Sequence, residues 1–179
     1  MAEQMPNVLA KIVAHKRDEV AKLKQQLPLK SFAGEVQPSR RDFLAALKQS
    51  GPRFILECKK ASPSKGLIRA DFNLQELAQV YNRYADCISV LTDEQFFQGS
   101  YDYLLTMRAL TDKPLLHKDF IIDSYQIYAG RHCGADAVLL MLSVLDDAQY
   151  RELAAVAREL NMTVLTEVSN EEETRRAVA

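Results

Sequence analysis

The chain has 179 residues, 47% of them apolar, and its 23 Lys plus Arg against 24 Asp plus Glu leave a net charge of −1. That length can bury a core, while so even a charge balance gives no field to attract nucleic acid or an acidic membrane surface. No apolar run approaches the roughly 18 residues of a membrane span, and none precedes Lys11 uninterrupted, so a cytoplasmic protein is expected.

From Asn7 to Leu27 the residues Val8, Ile12, Val20, Leu23 and Leu27 follow helical spacing, with Lys and Glu between them. A second short helix is expected over Asp42–Gln49, with Phe43, Leu44 and Leu47 on one face. Pro28, Pro38 and Pro52 mark turns or helix limits. Residues 1–52 therefore read as a helical N-terminal extension.

After Pro52 short apolar strands alternate with amphipathic helices. Strand Phe54–Cys58 precedes helix Leu74–Tyr84, and strand Cys87–Leu91 precedes helix Tyr101–Leu110. Leu115–His117 then leads to Ser124–His132, Ala137–Leu142 to Ala148–Leu160, and Thr163–Thr166 to a helix from Asn170 onward. Such alternation predicts parallel strands joined by right-handed crossovers, an α/β fold with residues 53–179 as one run of units. Helix starts are marked by Asn73 with Glu76, Asp123 with Gln126, Asp146 with Gln149 and Ser169 with Glu172; Gly134 sits where a helix C-terminal glycine belongs. The stripes Leu74, Leu77, Ala78, Tyr81 and Leu153, Val156, Ala157, Leu160 read as core.

Strand centres from about residue 55 to about residue 165 give roughly 27 residues per unit, the size of one βα unit of a (β/α)8 barrel. On that spacing the chain holds about five of the eight units of a barrel and is expected to be part of a longer polypeptide, cut after its fifth strand.

Polar groups gather where these strands end. Glu57 and Lys59 are two residues apart, so a strand would point both to one side and Cys58 to the other. Asp93-Glu94, Lys118-Asp119 and Glu167 follow later apolar runs. Strand C-terminal ends are where a β/α barrel builds its active site, although a structural ion-pair network would use the same residue types.

Other signals carry less. Ser62-Pro63-Ser64-Lys65-Gly66 lacks the order of a phosphate-binding GxxxxGK[ST] loop. His15, His117 and His132 lack metal-ligand spacing, and His117 should face away from Lys118. Cys58, Cys87 and Cys133 form neither a disulfide framework nor a CxxC pair and read as buried thiols, so no metal site is expected. Asp146-Asp147 and Glu171-Glu172-Glu173 suit first turns of helices.

Four segments go further: Glu57-Cys58-Lys59-Lys60-Ala61-Ser62-Pro63-Ser64-Lys65-Gly66, Leu91-Thr92-Asp93-Glu94-Gln95-Phe96-Phe97-Gln98-Gly99-Ser100, Lys118-Asp119-Phe120-Ile121-Ile122-Asp123, and Leu165-Thr166-Glu167-Val168. In order and spacing they resemble indole-3-glycerol phosphate synthase, a barrel of the ribulose-phosphate-binding type, and in particular its bifunctional form fused to a phosphoribosylanthranilate isomerase barrel. The resemblance implies a cofactor-free, decarboxylating ring closure of 1-(o-carboxyphenylamino)-1-deoxyribulose 5-phosphate to indole-3-glycerol phosphate in tryptophan biosynthesis. It implies Lys118 as general acid, Lys59 as the group that engages the substrate's anionic parts and can serve the dehydration, and Glu57 and Glu167 as the catalytic carboxylates. Phe97, Phe120, Leu139 and Met141 would enclose the anthranilate ring, with Ser62 near its carboxylate.

The family's other site parts, an asparagine, a Glu-Ser pair and glycine-rich phosphate turns, belong to strands six to eight and have no counterpart in these residues. A second reading is therefore a catalytically silent half-barrel that self-associates through an open sheet edge.

Overall fold

A computed structural model describes residues 5–178; Met1–Gln4 of the expected extension and Ala179 lie outside them. Helix α1 (Met5–Gln26) buries Ile12, Lys16 and Val20 at four-residue steps, one face of a helix. Pro28, which has no N–H to continue the helix, follows its end. Single 3-10 turns at Leu29–Ser31 and Ala33–Glu35 then bring Phe32 against Val20 and Tyr125. Short α2 (Phe43–Leu47) starts at Asp42, whose carboxylate accepts the Ala45 N–H at 2.8 Å.

The βα units follow in sequence order: β1 (Ile55–Cys58), a hairpin of β2 (Ala61–Ser62) and β3 (Gly66–Leu67), α3 (Leu74–Tyr84), β4 (Cys87–Leu91), α4 (Glu94–Phe97) and α5 (Tyr101–Leu110). Then come β5 (Leu115–Lys118), α6 (Ser124–His132), β6 (Ala137–Met141), α7 (Asp147–Glu159), β7 (Thr163–Glu167) and α8 (Glu171–Val178). The main sheet has the order β1-β4-β5-β6-β7 with every pair parallel. An order that never reverses has no switch point, which marks the singly wound, barrel-type arrangement and not a doubly wound sheet.

The two sheet faces bury different things. Outward residues Cys58, Ile88, Val90, Leu115, Val138 and Leu140 meet α3, α5, α6 and α7 in the larger core. The inner face carries Cys87, Leu116, Ala137 and Leu139, and Phe43 of α2 packs onto it at 1% exposure. Burying Phe43 contributes roughly 2–3 kcal/mol and closes the inner face at the strands' N-terminal end. Burial pushes the Cys58 and Cys87 thiols up to about 12 and Cys133 up to about 11, as suits inert core cysteines.

Caps account for most helix starts. Asn73 accepts from the N–H groups of Gln75 and Glu76, and Asp146 with Gln149 forms a full capping box. The last box sits one residue later than Ser169 with Glu172. Asn170 accepts the Glu173 N–H at 2.8 Å, and the Glu173 carboxylate turns back to the Ser169 N–H at 2.7 Å. Gly134 adopts φ +98, and a Cβ there would meet Arg108 Cγ at 2.5 Å.

Asp136, just before β6, ties the N-terminal end of the sheet together. Its carboxylate accepts from Ser39 Oγ at 2.7 Å and from Arg131 Nη1, Arg108 Nη1 and the Leu115 N–H at 3.0 Å each. Four chain segments thus converge on one buried side chain. None of the described helices is long and apolar enough to cross a membrane.

Candidate active site

At the opposite end of the sheet, the C-terminal ends of β1, β4, β5, β6 and β7 surround a cleft of about 140 Å³. It is lined by Glu57, Lys59, Leu91, Phe97, Lys118, Phe120, Leu139, Met141 and Glu167, with Asp93 and Asp119 behind them. Period-two alternation explains the selection: Glu57, Leu91, Lys118, Leu139, Met141 and Glu167 all belong to the inner face.

Glu57 lies between the two lysines. One oxygen contacts Lys59 Nζ, and the other lies 3.3 Å from Lys118 Nζ. The two ammonium groups are therefore bridged by a negative charge. Burial alone would raise the Glu57 carboxyl, but the hydrogen bond from Lys59 and the charge of Lys118 outweigh it and hold the group below its ordinary value. The Tyr81 hydroxyl donates to the Glu57 carbonyl at 2.9 Å and fixes the strand end from the outer face. Glu167, on the far wall, is exposed and has no ion-pair partner among the described residues.

The aromatic wall is set by two carboxylates. Asp93 caps α4, its Oδ1 accepting the N–H groups of Phe96 at 2.7 Å and Phe97 at 3.2 Å. Asp119 Oδ1 accepts the Phe120 N–H at 2.7 Å. The Phe97 and Phe120 rings stand 6.0 Å apart, tilted by 42°. Eight of the nine residues expected to form the site thus come together. Ser62 does not line the cleft; it sits in β2, and its hydroxyl accepts the Lys65 N–H at 3.3 Å.

Behind the cleft is a charged layer that the sequence reading missed. Lys16, fully buried, reaches from α1 to Asp93 Oδ2, Asp119 Oδ1 and Glu19 Oε2, each at 2.9 Å. Asp119 Oδ2 also accepts the Thr92 hydroxyl, which lies 2.9 Å from His117 Nε2. His117 points outward, away from Lys118; burial pushes it down to about 4, so its ring is neutral. Lys16 was detectable in principle, because it interrupts the Ile12 to Val20 stripe where an apolar residue is due.

A second groove of about 230 Å³, between α1 and the loops after β5 and β6, includes Arg17, Lys24 and Asp123, of which Lys24 and Asp123 pair with each other at 2.5 Å. No group of three or more metal-ligating side chains occurs among the described residues.

Known proteins bear on this arrangement. The sequence model of the family described as indole-3-glycerol phosphate synthase matches residues 9–179. The tryptophan biosynthesis protein TrpCF of Salmonella typhi is 59% identical over 175 residues, covering 98% of this chain and 39% of the relative. Those of Vibrio cholerae, 57% identical, and Yersinia pestis, 56% identical, are covered over 37% of their length. The chain thus spans about two fifths of the length of the curated relatives it matches. Among solved structures, a mandelate oxidase mutant with (S)-mandelic acid aligns at a TM-score of 0.54 and 13% identity. That alignment covers 71% of this chain and 46% of the oxidase, a likeness of fold alone.

Proposed function

The chain belongs to the indole-3-glycerol phosphate synthase family, and we propose that its cleft performs the acid–base part of that ring closure. The substrate is 1-(o-carboxyphenylamino)-1-deoxyribulose 5-phosphate. Its aromatic ring carbon bearing the carboxylate bonds to the ketone carbon, and the ketone oxygen gains a proton. The carboxylate then leaves as carbon dioxide, and loss of the new hydroxyl as water, with a proton from the adjacent nitrogen-bearing carbon of the new five-membered ring, gives the indole.

Each step needs a group of the kind that lines the cleft. Lys118 donates the proton to the ketone oxygen as the carbon–carbon bond forms. Lys59 engages the anionic parts of the substrate and assists departure of water. Glu57, between the two lysines, and Glu167, on the facing wall, are the carboxylates that accept protons. Phe97 and Phe120, with Leu139 and Met141, enclose the anthranilate ring and exclude water from the forming bond. Ser62, outside the cleft lining, is assigned to the substrate carboxylate by the family resemblance alone.

The observation that carries this reading is the position of Glu57, one carboxylate shared by Lys59 and Lys118 at the foot of an aromatic wall. The greater length of the TrpCF relatives supports a parent polypeptide that also carries an isomerase barrel.

Lys118→Met in the full-length protein tests the assignment. These 179 residues hold no Trp and add no indole fluorescence to that of the product. Loss of a general acid should lower turnover about 10²-fold or more with the circular dichroism spectrum unchanged. Turnover within a few-fold of the native protein would refute the role of Lys118.

A further inference from the structure

The reaction proposed above makes no use of Lys16, yet this lysine is fully buried, as are its partners Asp93 and Asp119. A lysine placed there only to fill space would be better replaced by an apolar residue. Its contacts are selective. Asp93 offers Oδ2 to Lys16 and Oδ1 to the backbone N–H groups of Phe96 and Phe97. Asp119 Oδ1 takes both Lys16 and the Phe120 N–H, while Oδ2 takes Thr92. The two rings of the aromatic wall are therefore each one hydrogen bond away from a carboxylate held by the same ammonium group.

We propose that Lys16 is a positioning residue, which from α1 locks Asp93 and Asp119 and thereby sets the placement of Phe97 and Phe120, the wall that meets the aromatic ring of the ligand. The identity of that ligand rests on the reading given under Proposed function; the clamp itself does not.

Electrostatics agree with the geometry. Burial alone would lower the Lys16 pKa, but the Asp119 and Asp93 carboxylates outweigh it and raise it, so the residue stays charged. Two buried carboxylates converging on one point require such a cation. The Lys118 ammonium group pairs with Glu57 instead, at 3.3 Å, on the opposite side of the strand end from Asp119 and Lys16. Loss of Lys16 should accordingly weaken binding of the ring and spare proton transfer. A residue that only fastens α1 to the barrel would lower stability and leave the rings where they are.

Fluorophenylalanine labelling separates the two, with ¹⁹F NMR of the chain as the readout. In Lys16→Met the resonances of Phe97 and Phe120 should shift or broaden while that of Phe43, at the other end of the sheet, stays in place. In the full-length protein KM should rise about tenfold with kcat within about twofold. Unchanged Phe97 and Phe120 signals, or an unchanged KM in an active enzyme, would overturn the proposal. Should Lys16→Met fail to fold, Asp93→Asn retains the capping oxygen but loses the charge. Its Phe97 signal should then move more than its Phe120 signal, and no movement overturns the clamp. Moved signals in a protein without synthase turnover would leave the clamp standing and sink the functional reading.

Discussion

Removing Asp136 should be among the most costly single changes in the chain, and it should leave chemistry alone. The side chain is fully buried and accepts four hydrogen bonds, two of them from arginines whose side chains are 16% and 13% exposed. Asp136→Ala leaves Arg108 and Arg131 facing each other and strips the Leu115 N–H of its acceptor. Breaking a buried ion pair by deleting one partner costs about 3–5 kcal/mol. Both arginines keep carbonyl partners, Arg108 on Lys113 and Thr111 and Arg131 on Gln37 and Ala135, which favours the lower end, about 3 kcal/mol. For a chain of this size that is a fall in Tm of roughly 6–12 °C. Urea unfolding followed by circular dichroism should show a lower midpoint at unchanged slope. Asp136→Asn, which keeps the shape and one acceptor oxygen, should lose less. A change under about 1 kcal/mol in Asp136→Ala would show that the carbonyl contacts of the arginines suffice and that the convergence on Asp136 is incidental.

The depressed carboxyl of Glu57 makes a pH prediction. A group whose folded pKa lies below its usual 4.5 stabilises the fold above that pH, and the contribution is lost as pH falls through the folded value. The stability difference between the native chain and Glu57→Gln should therefore shrink on acidification below about pH 4.5, and a difference that stays constant there would contradict the ion-pair geometry. Gly130→Ala should destabilise although it favours helix, because the new Cβ would lie 2.3 Å from His117 Nδ1. Overpacking at about 1–3 kcal/mol exceeds a propensity gain of about 1 kcal/mol, and a stabilised variant in thermal unfolding would show that the His117 ring can yield.

Strands and helices with enough residues to show a period were legible from the sequence. Leu74–Tyr84, Cys87–Leu91, Tyr101–Leu110 and Ser124–His132 agree residue for residue with the structure. What escaped was short. The β2–β3 hairpin has two residues per strand and α4 has four, too few for a repeat to register, and Pro63 with Gly66 reads as loop. The charged part of the cleft was legible because Glu57, Lys118 and Glu167 stand at strand ends, whereas Phe97, Phe120, Leu139 and Met141 came only from the family resemblance. Asp93 and Asp119 were seen as polar groups at strand ends, but their burial was not, since it depends on Lys16 from a helix many residues away. The position of Lys16 on the Ile12 to Val20 stripe signals its burial, but which carboxylates it meets depends on the tertiary fold.

Lys118 and Asp119 are adjacent in sequence, yet one faces the cleft beside Glu57 and the other faces outward to Lys16. Sliding this strand end by one residue would exchange the two environments. Asp119 or His117 would enter the mouth in place of the ammonium group, and Lys118 would be pushed against buried Lys16. Both substitutions set like charges together or leave a charge unpaired, and they do so on opposite faces of the sheet at once. The alternating charges therefore act as a two-sided key for the alignment of β5 with β4, rejecting mispaired folds that the apolar residues Leu115 and Leu116, alike on both faces, would tolerate.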